Sequence, residues 1–395
     1  MNNDYLCDNK IGDMYFNFKF FDKTIFGFWL QTDNCETTCN INQATVEEDY
    51  KKFLPLEFCG KISEEILLKW LRHRTIPANR YYVKNFLARL NLTEDNICGI
   101  LSVSYGLSLN DCYWLCPETE KRSFAELNLF DNRFSTVLGA IAFTGYGSYL
   151  KTSFRSSPEF TTNGMLAKAW RKIGGKISLY KSGTVGAANT GLEPYSEFYA
   201  YQVANAIQIN AVQYGLSQWK GRLCSTCPLF TSKDFSFVAA SNLIKFDNIH
   251  SVLDYYKALG EEFYNSLVDM FVFDAVILNQ DRHTGNFGFI VDNHSNTIVS
   301  PAPVFDNGLS LFCYAMDDDI KNYKRYANTI HPALYPDFLQ FASQIITHRQ
   351  RKMLTRLVDF KFKKHPRYNL PDSRLDFLTH WIRERAKILL KGLSS

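Results

Sequence analysis

The chain lacks the features that would assign it to several common protein classes. It has almost no charge imbalance: 44 Lys and Arg stand against 40 Asp and Glu, a formal net charge of +4 over 395 residues. A balance this small does not by itself predict nucleic-acid binding. There is no long apolar run. The most apolar stretch, Met270 to Leu278, is interrupted by Asp274 and is too short to span a bilayer. The first 25 residues carry Asp4, Asp8 and Asp13 and no apolar core, so no secretory signal is expected. Internal repeats and low-complexity segments are missing too. These absences predict a soluble, cytoplasmic protein with no membrane span.

A zinc site is also missing its pattern. The ten cysteines include three close pairs, Cys35/Cys39, Cys112/Cys116 and Cys224/Cys227. A structural zinc needs two such pairs at a defined separation, or one pair with two closely spaced histidines. No histidine pair has that spacing. Reduced, buried thiols are the expectation.

What the chain does have is apolar and aromatic mass. Hydrophobic residues make up 46% and aromatics 15%, enough to exclude a disordered chain and to fill two or three cores. Residues 14–30 are aromatic-rich with partial alternation, a strand pattern. Residues 62–92 read as two amphipathic helical stretches with Pro77 between them. Composition shifts to Gly, Ser, Thr and Pro over 145–164, and the main boundary is expected just before it. Ile177 to Lys181 alternates as a short strand. A helix pattern runs from Pro194 or Ser196 to about Ile207. From 249 to 279 the pattern is helical, 287–305 is a hairpin, and the remainder is mainly helix.

One constellation carries chemistry. Asp281 and Asn286 lie five residues apart, after a long apolar helix and before a strand. That is the spacing of the catalytic Asp and the metal-binding Asn in a protein-kinase loop. Beyond the hairpin, Val304-Phe305-Asp306-Asn307-Gly308 puts an Asp at a strand end, where a second magnesium ligand is expected. Magnesium prefers hard oxygen donors, which Asp and Asn supply. Upstream, Lys181 ends a strand on the same face as Leu179. Lys181 is expected to reach the phosphates and Leu179 to roof the adenine. Glu197, sixteen residues on, is the expected ion-pair partner of Lys181, with Glu193 as rival. The stretch holding Ser156, Ser157, Thr161, Thr162 and Gly164 is the candidate phosphate cover, although it is not a GxGxxG. His283 has two readings: it steadies the transferred phosphoryl group or orients Asp281, or it bonds backbone structurally. Each element alone also fits a blander role, a surface ion-pair cluster or a turn; the inference rests on their joint arrangement.

Asn279-Gln280-Asp281-Arg282-His283-Thr284-Gly285-Asn286-Phe287-Gly288-Phe289 resembles the catalytic loop of HipA-like serine/threonine kinases. Its Asp-Arg-His core also resembles phosphoinositide kinases. Thr162 to Trp170 and Glu193 to Ala200 look like the HipA-like small lobe. The likeness covers about 145–395, and Arg74 to Arg80 and Leu107 to Trp114 read like an accessory region of larger HipA-domain proteins. It implies an α+β, two-lobed protein-kinase-like fold: an N-terminal accessory α/β region over 1–144, a small lobe over 145–245 and a large helical lobe over 246–395. It further implies ATP and Mg²⁺ as cofactors and transfer to a Ser or Thr hydroxyl of a protein. The best-known members are bacterial toxins that act on aminoacyl-tRNA synthetases and are restrained by a DNA-binding antitoxin. Members also autophosphorylate on a serine of the phosphate-covering loop, the region of Ser156 and Ser157 here.

Alternatives remain open at this point: a lipid or small-molecule kinase, or a nucleotide-binding pseudokinase that acts through a partner. Cys224-Ser225-Thr226-Cys227 falls where the link between lobes is expected, lining the adenine pocket. The basic segment 348–367 carries Arg349, Arg351, Lys352, Arg356, Lys361, Lys363, Lys364 and Arg367. It reads either as a solvated helix face or as a dock for an acidic partner or RNA.

Overall fold

The computed structural model describes residues 14–33, 36–147 and 157–392. The protein divides into two compact units. The first runs as far as Ile177 and takes in Thr231–Ser236 and Asp292–Thr297; the second holds Ser178–Phe230, Phe237–Val291 and the chain from Ile298 on. Both mix helices with antiparallel strands, so the architecture is α+β.

The first unit begins with strands β1 (Met14–Phe20), β2 (Lys23–Asp33) and β3 (Glu36–Asn42). Alternation in β1 buries Phe16, Phe18 and Phe20 on one face of the sheet. Phe18 stacks on Phe26 of β2 at 4.8 Å and meets Trp70 of helix α1 (Glu64–Arg72) at 4.7 Å. Ser63 starts α1 by accepting the Ile66 N–H, and Pro77 separates α1 from α2 (Val83–Ala88). Helix α3 (Ile97–Ser104) precedes strand β4 (Tyr113–Pro117), which completes a sheet in the order β3-β2-β1-β4. Helices α4 (Phe124–Leu127) and α5 (Thr136–Thr144) and strand β5 (Lys168–Ile173) follow.

The unit continues past the composition shift at residue 145, because Arg80 holds the later segment. Its guanidinium donates to Glu159 Oε2 at 2.8 Å, to the Glu159 carbonyl at 2.7 Å and to the Lys168 carbonyl at 2.8 Å. The Tyr81 N–H bonds the Met165 carbonyl. Phe160 is buried against Phe86, ring to ring at 5.0 Å.

In the second unit, strands β6 (Lys176–Ser182), β7 (Gly215–Trp219) and β8 (Arg222–Pro228) pair antiparallel, with β8 between the other two. Helix α6 (Glu193–Ile207) lies between β6 and β7 in sequence and begins Glu193-Pro194. Proline suits a first turn because its missing N–H would have had no partner there. Strand β9 (Phe235–Ala239), helix α7 (Ala240–Leu243) and helices α8 (Ile249–Leu259) and α9 (Glu261–Ile277) come next. Every residue of α9 from Leu267 to Ile277 is buried, which explains a run with no polar stripe. Asp269 and Asp274 sit inside that run and need partners.

Strands β10 (Gly288–Asp292) and β11 (Thr297–Pro301) form the expected hairpin, and β9 lies beside β10. The approach is close. A Cβ on Gly288 would collide with the Val238 carbonyl and stand 2.9 Å from Ala239 Cα. Helices α10 (Asp317–Lys321), α11 (Tyr323–Ala327), α12 (Phe338–Ile345), α13 (His348–Leu354) and α14 (Asp372–Lys391) complete the unit.

Much of the basic 348–367 segment is engaged within this unit. Arg349 pairs with Asp269 at 2.6 Å, and Arg351 donates to the Leu389 and Leu390 carbonyls near the end of α14. Arg356 caps the Ile207 carbonyl of α6, and Lys364 pairs with Asp372. No helix among the described residues is long and apolar enough to cross a membrane.

Arg80 and Glu159 are both buried, so removing one charge strands the other. Arg80→Met is expected to cost about 3–5 kcal/mol of stability. Urea unfolding followed by tryptophan fluorescence checks this; an unshifted midpoint would show that the pair does not hold the 157–168 segment.

Candidate active site

The site is built around a buried ion pair in the second unit. Helix α9 ends at Ile277, and Leu278 takes a left-handed conformation, φ 54°, that turns the chain. Four residues on, Arg282 returns its side chain to Asp274 of the helix. Nε and Nη2 contact the two carboxylate oxygens at 2.9 and 3.0 Å. Nη1 donates to the carbonyls of Asn286 and Phe305 at 3.0 and 2.6 Å, and Nη2 to Asn307 Oδ1 at 2.6 Å. All five guanidinium donors are therefore used, and the pair is almost wholly out of solvent. One side chain fixes the end of α9, the loop 279–286 and the segment 305–307 against each other.

Those segments carry the residues singled out from the sequence. The Asp281 N–H donates to Asn279 Oδ1, and the Asn286 amide donates to the Asp281 carbonyl at 3.0 Å. Asn286 thus spends its N–H₂ on the loop, and its oxygen is the atom suited to a cation. Lys181 Nζ donates to Glu197 Oε1 at 2.9 Å and also pairs with Asp306. Glu197 Oε2 accepts the Asn307 N–H at 3.1 Å. The lysine's helix partner is Glu197. Glu193 accepts instead from Thr184 and from the Tyr314 hydroxyl. Leu179 lies two residues before Lys181 on β6 and is half-buried.

His283 is exposed, and its Nδ1 accepts the Gly285 N–H at 3.1 Å. That bond assigns the ring proton to Nε2. The backbone contact of one reading therefore exists, and it leaves Nε2–H as a donor for the other. A Cβ at Gly285 would stand 2.9 Å from the ring, so glycine suits this position.

Burial and the neighbouring charge of Asp306 push the Asp281 carboxyl above its ordinary value, against the pull of His283, Lys181 and Arg282. Burial opposes the charge on Lys181, but Asp306 and Glu197 outweigh it and hold its pKa above the usual lysine range. The arrangement is two carboxylates that repel each other, one of them tied to a lysine, beside a side-chain amide oxygen. Those hard oxygens are a donor set that fits a divalent cation.

Not every expected residue belongs to the second unit. Gly164 and Ser157 belong to the first unit, where Ser157 is buried and the Lys168 amine bonds the Asn163 carbonyl. Ser156 lies outside the described residues, as does Cys35. Cys224 and Cys227 lie within strand β8 and not on a connection between elements. Sequence reasoning also passed over Arg282's role, its partner Asp274, and Tyr214, whose hydroxyl accepts the Asp306 N–H at 3.0 Å. An Asp inside an apolar helix was the signal for Asp274, since a buried carboxylate demands a cation.

A strand lysine paired to a helix glutamate, with an Asp/Asn loop and a second Asp on a hairpin's far side, defines the kinase-like class. Within that class the chain resembles HipA-like serine/threonine kinases in sequence and in fold. HipA of Shewanella oneidensis, solved as a toxin–antitoxin complex with HipB and operator DNA, has a TM-score of 0.52. That likeness covers 94% of this chain and 96% of that one at 10% identity. Over 150 residues, 34% of its length, the chain is 29% identical to the serine/threonine-protein kinase CtkA of Helicobacter pylori, spanning 45% of that protein. The crystal structure of that proinflammatory kinase gives a TM-score of 0.43 at 19% identity, over 57% of this chain and 93% of that one. No family model matches.

The raised pKa of Asp281 has a pH signature. A carboxyl whose folded pKa lies above its unfolded value contributes stability below the unfolded value, and that contribution is lost as pH rises through the folded one. Asp281→Asn removes the ionisation. It is expected to be more stable than the wild type at neutral pH, with the gap closing as pH falls towards the ordinary carboxyl value of 3.8. Thermal unfolding of both proteins across that range tests it; a constant gap would contradict the assignment.

Proposed function

We propose that this chain is an ATP- and Mg²⁺-dependent protein kinase that transfers the γ-phosphate of ATP to a serine or threonine hydroxyl. The observation that supports it is the Arg282 network, which gathers Asp281, Asn286 and Asp306 into one rigid cluster beside Lys181. The partial identity to a serine/threonine kinase favours a protein acceptor over a lipid or metabolite.

Each residue then has a role. Asp281 orients the acceptor hydroxyl and takes its proton as the oxygen–phosphorus bond forms; ADP leaves with the electrons of the broken bond. A carboxyl pKa raised above its ordinary value by burial and by Asp306 suits a group that must accept a proton. Lys181, held by Glu197, pins phosphate oxygens. Asn286 and Asp306 present oxygens to the metal. Bound Mg²⁺ would supply charge neutralisation at the phosphates. His283 offers Nε2–H to the transferred group, and Leu179 faces the base. The segment with Ser156, Ser157 and Gly164 remains the proposed phosphate cover and self-phosphorylation region.

Toxin activity and an antitoxin partner enter this proposal through the family resemblance alone. Their test is whether expression arrests growth of the bacterial host and whether that arrest requires Asp281.

The central test is transfer of label from γ-labelled ATP in host lysate. Asp281→Ala and Asp306→Ala are each expected to lower transfer by about 10²-fold or more, the cost of removing one preorganised charged group. Equal labelling by the wild type and both variants would defeat the proposal. Labelled lipid or metabolite with no labelled protein would redirect it.

A further inference from the structure

Asp306 holds an unusual backbone. Its φ of 55° is left-handed, a region that a residue with a Cβ enters only when its surroundings fix it there. The preceding residues explain how the chain arrives. Residues 210–212 run parallel to Val304: the Val304 N–H donates to the Asn210 carbonyl, and the Val212 N–H to the Val304 carbonyl, both at 2.9 Å. At Asp306 the backbone turns out of this ladder, and its N–H loses the carbonyl that the next rung would have supplied. Tyr214, two residues past Val212, replaces it. Its hydroxyl accepts the Asp306 N–H at 3.0 Å.

The phenol is itself held from the other side. Tyr214 is buried, and the Cys227 thiol of β8 lies beside it. Cys227 pairs with Leu179 across β6 and β8, two residues before Lys181. Contacts therefore run from β8 through the phenol to the backbone of Asp306. They meet the residue whose carboxylate pairs with Lys181 on β6.

We propose that Tyr214 is a positioning residue for Asp306, and that with Cys227 it sets the protein's affinity for the divalent cation. The proposal rests on the reading of Asp306 as a metal ligand. A cation bound by a short side chain on a left-handed backbone is sensitive to small rotations at that residue. The phenol restrains the rotation without touching the cation. Tyr214→Phe keeps the ring in the core and deletes only the oxygen. The Asp306 N–H then loses the phenol as acceptor, and the backbone is freer to move towards ordinary φ values.

The experiment is calorimetric titration of the full chain with Mn²⁺ in the presence of a nonhydrolysable ATP analogue. In parallel, phosphate transfer is measured as a function of Mg²⁺ at saturating ATP. Tyr214→Phe is expected to weaken Mn²⁺ binding by about fivefold, the scale of one lost hydrogen bond, and to raise the Mg²⁺ needed for half-maximal transfer by a similar factor. The rate at saturating Mg²⁺ should fall much less, a split that a general loss of folded protein would not produce. Cys227→Ala, which removes the sulfur packed beside the phenol and loosens its hold, is expected to shift both in the same direction by about twofold. If Tyr214→Phe does not fold, this variant decides. Mn²⁺ affinity unchanged in the folded variants, with wild type binding the ion, would overturn the proposal. A wild-type protein that binds no Mn²⁺ with the analogue would instead overturn the metal-site reading beneath it.

Discussion

The buried pair of Asp274 and Arg282 is the interaction on which the rest of the site depends. Taking two charges out of water is costly, and their attraction repays it only when every remaining hydrogen-bonding position is filled. Here that condition is met: both carboxylate oxygens and all five guanidinium donors have partners. The pair gives the second unit a fixed relation between three stretches of chain. Without it, α9, the loop after it and the segment beyond the hairpin would be joined by apolar packing, which tolerates sliding, and by a few backbone bonds such as Gln280 N–H to the Leu309 carbonyl and Leu311 N–H to the Ile277 carbonyl. The catalytic proposal needs relations fixed to a fraction of an ångström, because positioning and electrostatics supply most of the rate in phosphoryl transfer.

A second chain of contacts meets the first at residues 306–307. Glu197 bridges Lys181 and the Asn307 N–H, so helix α6 and strand β6 are tied to the same short segment that Arg282 grips. Tyr214 adds a third hold on the adjacent peptide. Asp306 thus stands at a point fixed from a helix, a strand and a loop. Its own side chain is left about one-third exposed, the most open of the charged groups paired with Lys181. That combination of fixed backbone and open carboxylate is what a ligand site requires.

How much of this was legible in the sequence depends on range. Strand β6, helix α6, the hairpin and the long apolar helix followed from periodicity and turn chemistry, which are local signals. The choice of Glu197 over Glu193 as partner of Lys181 was not legible, because residues four apart share one helix face and differ only in position along the axis. Both acids are buried, but Glu193 lies a turn earlier, facing Thr184 and Tyr314. The Arg282 network was not legible, since its partners are spread from 274 to 307 and no spacing rule joins them. The relation of the 157–168 segment to the accessory region was hidden for the same reason. Arg80 and Glu159 are far apart in sequence, and a composition shift marks a change of surface chemistry more reliably than the end of a core. The basic 348–367 stretch does carry most of its cations on the surface, and what could not be read was that Arg349 and Lys364 pair with acids elsewhere in the chain.

In the proposed mechanism Asp306 and Asn286, held by the Arg282 network, receive the metal that accompanies the nucleotide. The most direct measurement is a crystal structure with Mn²⁺ and a nonhydrolysable ATP analogue, with the metal located by anomalous scattering. The account predicts a metal peak within about 2.5 Å of an Asp306 carboxylate oxygen and of the Asn286 side-chain oxygen, with Lys181 moved onto phosphate. A nucleotide bound with its metal held by other residues, with the Lys181–Asp306 pair intact, would contradict it.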